Sequence, residues 1–293
     1  MYPNQNQPMP GGYPPQQYPQ GQPYPNQQYA PPNPYNQPIF IPSSALHNLS
    51  GFDKLMNMPG VFVKQKFELL EALTGCETQN KYVVYPANAD GSKIKDSMFK
   101  AKEKSNCLAR QCLSGHCRPF DVKVEHEGSG VHFLWLHREC TPTCLCFNRP
   151  FLEVFYTENG KEPGDYIGKI VNPFTFCNKE LQILDNKNDL KYIISGDCCQ
   201  LGFWCKFPCE ACQTIDFSLL DGSRNPTNGR LQKRTAGCVK SAISDADNFS
   251  LVFPTQATKE ERALLMAAVI MTDFMYFEEN PNQNQQRVAF DNN

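Results

Sequence analysis

A short apolar segment near the C-terminus constrains the fold of this chain more than any other feature. Residues 263–277 read ALLMAAVIMTDFMYF, which is apolar on every face of a helix, so such a helix must be buried in protein or in lipid. At about 1.5 Å per residue it would span about 22 Å, against about 30 Å for the hydrocarbon core of a bilayer. Asp273 interrupts the segment, and a carboxylate at the bilayer centre costs about 2.5–3.5 kcal/mol. The segment therefore favours a helix enclosed by protein, with membrane insertion as the alternative.

We predict this helix over residues 259–279. Ala, Leu and Met favour helix formation, and Glu260 and Glu261 fall in the first turn, where negative charge complements the helix dipole. The side chains predicted to face the core or the membrane are Ala263, Leu264, Leu265, Val269, Ile270, Asp273, Phe274 and Phe277.

The N-terminal segment differs in composition from the remaining chain. The first 52 residues contain no Asp, Glu, Lys or Arg, and residues 1–42 contain 13 Pro, nine Gln and six Tyr. Such a segment cannot bury enough apolar surface to offset the entropy of ordering, so we predict a disordered Pro/Gln/Tyr-rich arm over residues 1–45. Pro31 and Pro34 form a PxxP pattern, which makes SH3 or WW-type modules candidate partners of the arm.

The residues after the arm carry the charges and strand signals of a globular domain. The chain has 28 basic and 30 acidic side chains, and this near-neutral balance argues against a specific nucleic-acid partner. Short apolar alternations recur at about 8–12-residue spacing, which indicates an antiparallel sandwich or barrel. Residues 127–130 read as a hairpin turn, after which Val131, Phe133 and Trp135 are predicted to share one face. Strands are predicted at 120–124, 152–156, 166–171, 181–184, 190–194, 215–219 and 249–253.

Four motifs in a fixed order resemble the phospholipid scramblase family. They are ELLEALTGCETQNKY (68–82), CRPFDVKV (117–124), SDADNFSLVFP (244–254) and MTDFMYFE (271–278). The resemblance implies a tubby-like fold over residues 46–279, mainly β, in which a closed antiparallel β-barrel encloses a C-terminal hydrophobic α-helix. Residues 280–293 would be a polar C-terminal tail. The implied activity is calcium-activated, ATP-independent movement of phospholipids between bilayer leaflets, with palmitoyl anchoring to the cytoplasmic face of the plasma membrane.

The acidic segment 245–256 is the candidate calcium site. Asp245, Asp247 and Asn248 offer the hard oxygen donors that calcium prefers. The segment is not an EF-hand, because Ser250 stands where glycine is required and Gln256 where glutamate is required. With two carboxylates, any calcium site is expected to be weak. The alternative interpretation is an Asp/Asn turn that precedes a strand.

Two groups of cysteines are candidate modification or metal sites. Cys140, Cys144 and Cys146 match the position of the family's S-acylated run, where two acyl chains would anchor the protein stably and one would not. In the second group Cys209 and Cys212 form a C-x2-C, half of a zinc site, with Cys205 as a further ligand. The neighbours Cys198 and Cys199 would point apart in an extended chain, so zinc is the less favoured interpretation. We expect no signal peptide and therefore reduced thiols rather than disulfides.

The sequence lacks the motifs of covalent catalysis. It contains no Gly-rich phosphate loop, no GxSxG and no HExxH, so we expect no enzyme activity. The four clustered histidines are expected to be surface or packing residues, and the basic residues of 230–240 a solvated face or an anionic-lipid contact. Two functions stay open: a phospholipid scramblase-like protein, or a lipid-anchored adaptor that uses the barrel as a scaffold and the arm for partner recruitment. The histidines are His116, His126, His132 and His137, and the basic residues are Arg230, Lys233, Arg234 and Lys240.

Overall fold

The fold was analysed in a computed structural model of the chain. The predicted arm and the predicted C-terminal tail lie outside the residues that the structure describes, so this division into domains stays a prediction. The described residues are 49–66, 79–105, 117–143, 146–161, 163–204, 210–234 and 248–277.

Twelve strands of the described residues form one closed antiparallel barrel. Each strand pairs with the strands before and after it in sequence, and the last strand pairs with the first, so the barrel has no free edge. The closed antiparallel barrel implied by the family resemblance is therefore confirmed. The strands are β1 (Gly60–Lys66), β2 (Lys81–Ala87), β3 (Phe99–Lys104), β4 (Phe120–His126), β5 (His132–Arg138), β6 (Phe151–Tyr156), β7 (Asp165–Val171), β8 (Lys179–Asp185), β9 (Leu190–Gly196), β10 (Thr214–Asp221), β11 (Pro226–Arg234) and β12 (Asn248–Val252).

Among the described residues, three α-helices accompany the barrel, and one of them fills it. Helix α1 covers Gly51–Met56, α2 is the single turn Glu210–Gln213, and α3 covers Lys259–Tyr276. Helix α1 packs at the end of the barrel at which the odd-numbered strands begin. We call this end the α1 end. Helix α3 runs from there to the opposite end, which we call the Tyr276 end.

Helix α3 is enclosed on all sides, as its apolar composition predicts. Every residue from Arg262 to Met275 is buried, and the inward side chains of all twelve strands form one core with it. The helix ends at Tyr276 with Phe277 as its C-cap, so the predicted C-terminal boundary at 279 was too late. Within the described part of the chain, no helix is both long enough and apolar enough for a membrane crossing.

The predicted strands are all present, but four strands of the barrel were missed. Strand β11 reads PTNGRLQKR, and only Gly229, Leu231 and Lys233 are buried, so its apolar alternation is too weak to recognise. Strand β3 was missed for the same reason. Its sequence FKAKEK buries Phe99, Ala101 and the charged Glu103, so the buried positions are not all apolar. The other two missed strands are β1 and β2.

The predicted shared face of Val131, Phe133 and Trp135 was wrong. The register between β4 and β5 shifts after Val124, and this irregularity interrupts the alternation of the hairpin. As a result Val131 is exposed and Phe133 fully buried. Trp135 is only partly buried, and its Nε1 donates to Asp121 Oδ1 at 3.0 Å.

Gly168 allows β7 to lie close to the backbone of β8 and to a side chain of α3. Its φ is +149°, and a Cβ there would lie 2.2 Å from the Leu184 carbonyl oxygen and 3.0 Å from Leu264 Cδ1. We predict that Gly168→Ala lowers the free energy of unfolding by about 2–4 kcal/mol, because a rigid backbone atom cannot move aside. The matched control is Gly160→Ala, where φ is +75° but the added Cβ meets nothing within 4 Å. Urea unfolding measures both variants, and equal losses would contradict the close approach.

Candidate functional site

Arg262 attaches the beginning of α3 to α1. Its buried guanidinium donates from Nη1 to the carbonyl oxygens of Leu55 at 2.8 Å and Met58 at 2.9 Å. Burial lowers the pKa of Arg262 from its ordinary value, but an arginine in this environment stays charged. A capping box between Thr258 and Glu261 closes the first turn. This end of the helix is therefore held by charge-assisted hydrogen bonds as well as by packing.

Asp273 has a specific partner inside the barrel. The Tyr82 hydroxyl donates to Asp273 Oδ2 at 2.6 Å, and both residues are at most 2 % exposed. Tyr82 comes from β2, so the contact joins the last turns of α3 to the barrel wall. The carboxylate that argued against membrane insertion is thus a hydrogen-bonded core group.

Two hydrogen bonds of its hydroxyl group hold Tyr276 at the end of α3. Asn172 Nδ2 donates to the Tyr276 hydroxyl at 2.7 Å, and that hydroxyl donates to the Glu180 carbonyl oxygen at 2.9 Å. Burial raises the pKa of Tyr276 well above its usual range, so the phenol stays neutral and keeps its proton for this contact.

Buried charges of both signs surround the Tyr276 end of α3. Arg118 donates to Glu103 at 3.1 Å and lies 5.3 Å from the centre of the Phe274 ring. Arg138 donates from Nη1 to Met275 Sδ at 3.5 Å. Together with Asp273, these side chains place two cations and two anions in the interior. Removing one member of such a group leaves an uncompensated charge, which costs about 3–5 kcal/mol.

The packing of α3 sets the cost of withdrawing it from the barrel. At about 1.5–3 kcal/mol for each large apolar side chain, full exposure would cost on the order of 12–24 kcal/mol, while a typical domain is stable by only about 5–15 kcal/mol. Insertion into lipid would bury the helix again but would expose the inner face of the strands. Withdrawal is therefore equivalent to unfolding the domain. The large apolar side chains concerned are Leu264, Leu265, Met266, Val269, Ile270, Met271, Phe274 and Met275.

We predict that Tyr82 and Asp273 stabilise the domain cooperatively. Tyr82→Phe and Asp273→Asn should each destabilise, and a double-mutant cycle should give a coupling of about 1.5–3 kcal/mol, the range for a hydrogen bond to a charged group. The cycle is measured by urea unfolding. Tyr85→Phe, on the same strand but only partly buried, is the matched control for the loss of a phenol hydroxyl. Additive losses at Tyr82 and Asp273 would contradict the contact.

The candidate calcium segment is only partly within the described residues. Asp245 and Asp247 lie outside them, whereas Asn248 begins β12 and pairs with Lys64 on one side and Arg234 on the other. Residues directly opposite each other in a sheet share a face, so Asn248 lies between two cations, an unfavourable setting for calcium. The described part of the segment thus does not fit a calcium loop.

The second half of that segment is a strand, as the alternative interpretation predicted. Ser250 is buried and donates from Oγ to the Gly91 carbonyl oxygen at 2.7 Å. Thr255 and Gln256 follow β12 at the α1 end, a strand length away from Asn248. Any ligands for calcium would therefore come from Asp245 and Asp247, which precede β12, and not from the end of the segment.

The acylation candidates lie on the connection between β5 and β6. Cys140 and Cys146 are exposed thiols, and Cys144 lies outside the described residues. An exposed thiol on a connection is accessible to an acyltransferase, which is the structural requirement for S-acylation. This assignment stays a prediction.

The zinc candidates are not assembled by the described residues. Cys205 and Cys209 lie outside them, and Cys212 is a buried thiol in α2. Cys198 forms a disulfide with Cys177, since their connections are adjacent and bring the Cα atoms to 5.7 Å. The expectation that these thiols are reduced was therefore wrong for this pair. Asp197, Cys198 and Cys199 lie close together, but a disulfide sulfur is not a thiolate ligand.

The connections that contain the three groups of candidate residues all join strands at the Tyr276 end of the barrel. The acylation candidates follow β5, and the zinc candidates follow β9. The calcium candidates lead into β12, which begins at the same end. Because the barrel is an up-and-down meander, alternate connections fall at one end, and the sequence alone did not reveal this convergence.

A buried polar chain under α1 was missed by the sequence analysis. Lys54 Nζ lies 2.6 Å from His126 Nδ1, and His126 Nε2 lies 3.2 Å from Glu158 Oε1, which joins α1 to β4 and to the β6–β7 connection. Burial and the Lys54 charge lower the pKa of His126, although Glu158 opposes this shift. Separations of 72 and 32 residues leave no local pattern from which this chain could be recognised. Because the pKa of His126 is lowered, the His126 imidazole is neutral at physiological pH.

We predict that His126 makes the domain sensitive to acid. The unfolded chain binds a proton on this residue near pH 6.5, whereas the folded chain does so only at lower pH. The contribution of neutral His126 to the free energy of unfolding is therefore fully present above about pH 6.5. It is lost as pH falls towards the pKa of His126 in the folded state. In urea unfolding, His126→Gln should flatten the loss of stability between about pH 6.5 and 5. His132→Gln, a partly exposed histidine on the same hairpin, is the control, and an unchanged slope in His126→Gln would contradict the assignment.

Comparisons with known proteins point to one family. The family model for Scramblase matches residues 41–279. Phospholipid scramblase 1 of Mus musculus is 30% identical over 249 residues, with 85% of this chain and 70% of the relative covered. Phospholipid scramblase 1 of Rattus norvegicus is 29% identical over 236 residues, with 80% of this chain and 65% of the relative covered. The chain thus spans just under two thirds of the rat relative. No solved structure gives a significant match.

Proposed function

This chain belongs to the scramblase family, and we propose that it moves phospholipids between bilayer leaflets in both directions, without ATP and without covalent chemistry. The observation that carries the proposal is the family match over residues 41–279, which includes the whole described barrel and α3. The curated relatives are named phospholipid scramblases, which makes membrane phospholipids the proposed substrate.

The structure limits how such a protein can work. To move a lipid between leaflets, a protein must lower the free-energy cost of carrying the polar headgroup through hydrocarbon. No covalent bond has to be made or broken. Since withdrawal of α3 is equivalent to unfolding, we propose that the barrel acts intact. The protein would then act from the membrane surface, by changing the packing of the lipids that it contacts.

Calcium activation is a separate part of the proposal. It rests on the family resemblance and on the carboxylates of Asp245 and Asp247, because Asn248 lies between two cations. We propose that calcium binds weakly at these carboxylates. Zinc at Cys205, Cys209 and Cys212 is a lower-ranked proposal that elemental analysis of the purified protein tests.

We propose that the protein is attached to the cytoplasmic face of the plasma membrane through acyl chains. The candidate thiols are Cys140, Cys144 and Cys146, two of which are exposed. Two acyl chains would hold the protein stably at a membrane, whereas a single chain would hold it only reversibly. Family membership is the support for membrane association.

A second function is favoured by the enclosure of α3. If the helix stays in the barrel and the protein only rests on the membrane, the barrel can serve as a scaffold for other proteins. In this alternative the chain is a lipid-anchored adaptor, whose Pro-rich arm recruits SH3 or WW-type modules.

Reconstitution distinguishes the two functions. We predict that the full-length chain in vesicles makes a fluorescent inner-leaflet lipid accessible to a reducing agent outside, with calcium and without ATP. Asp245→Ala/Asp247→Ala should lose the calcium dependence, whereas Asp96→Ala/Asp189→Ala, two exposed acids at the α1 end, is the matched control. Folded protein that moves no lipid would contradict the proposal and favour the adaptor. Equal calcium dependence in both double variants would remove the calcium assignment alone.

A further inference from the structure

We propose that five exposed apolar side chains at the Tyr276 end form a membrane-docking rim that enters the interfacial layer of a phospholipid bilayer. The inference rests on the proposed function for its membrane setting and adds which face of the barrel meets the lipid. The aromatic rim consists of Phe147, Phe174, Phe176, Leu201 and Trp204.

The exposure of these side chains is unusual for a soluble surface. Phe176 is 100% exposed, Trp204 78% and Phe147 70%. Scattered exposed apolar residues are normal, but a concentration of large ones at one place marks an interaction site. Five of the seven large exposed apolar side chains in the described residues belong to the aromatic rim. The other two, Met56 and Val131, lie at the α1 end.

The barrel topology brings the aromatic rim together. Phe147 lies on the β5–β6 connection, Phe174 and Phe176 on the β7–β8 connection, and Leu201 and Trp204 on the β9–β10 connection. These six strands are consecutive neighbours in the barrel, and all three connections are at the Tyr276 end. The side chains therefore follow one arc of the barrel end, an arrangement suited to a broad surface such as a bilayer.

Cross-links between the three connections hold the rim in place. Arg149 donates from Nε to the Asn172 carbonyl oxygen at 2.9 Å, which ties the first connection to the second. The disulfide between Cys177 and Cys198 ties the second to the third. The aromatic rim is thus presented by a braced framework, so little ordering entropy is lost when it binds.

The third connection packs one apolar side chain against the core and turns two others outward. Phe203 stacks on Phe277 at 5.7 Å and contacts Phe217, while its neighbours Leu201 and Trp204 face outward. Trp204 Nε1 donates to the Cys198 carbonyl oxygen at 2.6 Å. Because this N–H already has a partner, the indole can enter lipid without an unsatisfied donor.

The distribution of charge supports a lipid partner. Residues 172–178 (NPFTFCN) contain no charged side chain, so the central connection can leave water without desolvating an ion. The hairpins of the α1 end carry exposed charges, including Lys187, Asp189 and Arg224, which favour water. The central connection thus differs in polarity from the hairpins of the α1 end, while exposed Glu139 and Asp197 lie at the strand ends of the two flanking connections, where they can stay in water.

The exposed thiols agree with this orientation. Cys140 and Cys146 lie on the first connection, and Cys199 lies on the third. Acyl chains on these residues would leave the barrel from the same end as the aromatic rim. Lipid anchors and rim could then act on the bilayer together, as two signals that give stable attachment.

Trp204 provides a direct probe of the rim. The chain has two tryptophans, so full-length Trp135→Phe protein reports on Trp204 alone. On addition of phosphatidylcholine vesicles, with and without phosphatidylserine, we expect its emission to shift to shorter wavelength and to be quenched by lipids with a quencher on the upper acyl chain. No shift and no quenching while the protein sediments with the vesicles would overturn the proposal, since another surface would then bind.

Substitutions test whether the rim supplies affinity. Phe147→Ser/Phe176→Ser should reduce vesicle partitioning by about tenfold or more, because both rings are largely exposed and their loss leaves the core intact. Val131→Ser at the α1 end is the matched control and should leave partitioning unchanged. An equal effect in both proteins, or no binding by the wild-type chain at saturating vesicles, would contradict the proposal.

The same vesicles separate this inference from the proposed function. Lipid exchange without a response of Trp204 would overturn the rim alone. A Trp204 response without lipid exchange would support the rim and contradict the scramblase-like activity, leaving the adaptor function. A partner protein that binds through Phe147 and Phe176 in the absence of lipid would also overturn the bilayer as the occupant.

Discussion

Burial of α3 inside a closed barrel is the constraint on which the remaining structure depends. The helix has no polar face, so it needs apolar partners in every direction, and twelve paired strands provide them without leaving an edge. Arg262 holds one end of the helix through carbonyl groups, and Asp273 holds the other through Tyr82. Polar groups at both ends thus fix the axial position of a helix whose apolar surface alone would allow sliding.

This arrangement separates stability from function. The interior is occupied by α3 and by buried charges of both signs, so it offers no path for a lipid headgroup without unfolding of the domain. Interactions with a membrane, an ion or a partner must therefore use the surface, where the Tyr276 end differs from the other end. It carries the connections with the candidate acylation, zinc and calcium residues, and it carries the aromatic rim. The α1 end, with its short charged hairpins, is the end suited to the aqueous side.

The sequence predicted the enclosed helix and the β architecture because both have local signals. Residues 263–277 are too short and too acidic for a membrane span, and strands such as β4 and β6 alternate clearly. Polar strands such as β11 were missed, since their inward residues include Gly229 and Lys233. The Tyr82–Asp273 contact spans 191 residues, and the Cys177–Cys198 disulfide depends on neighbouring connections, so neither has a local signature. The convergence of the candidate sites follows from topology and became evident only with the strand order.

Photolabelling from lipid tests the central claim most directly. The full-length chain would be placed on vesicles that contain a photoactivatable phospholipid, under conditions in which lipid exchange is measured, and the labelled peptides identified by mass spectrometry. An intact barrel that acts from the membrane surface predicts label on the connections with Phe147, Phe176 and Trp204 and none within residues 263–277. Label within residues 263–277 would mean that α3 leaves the barrel and enters lipid, which would contradict the account.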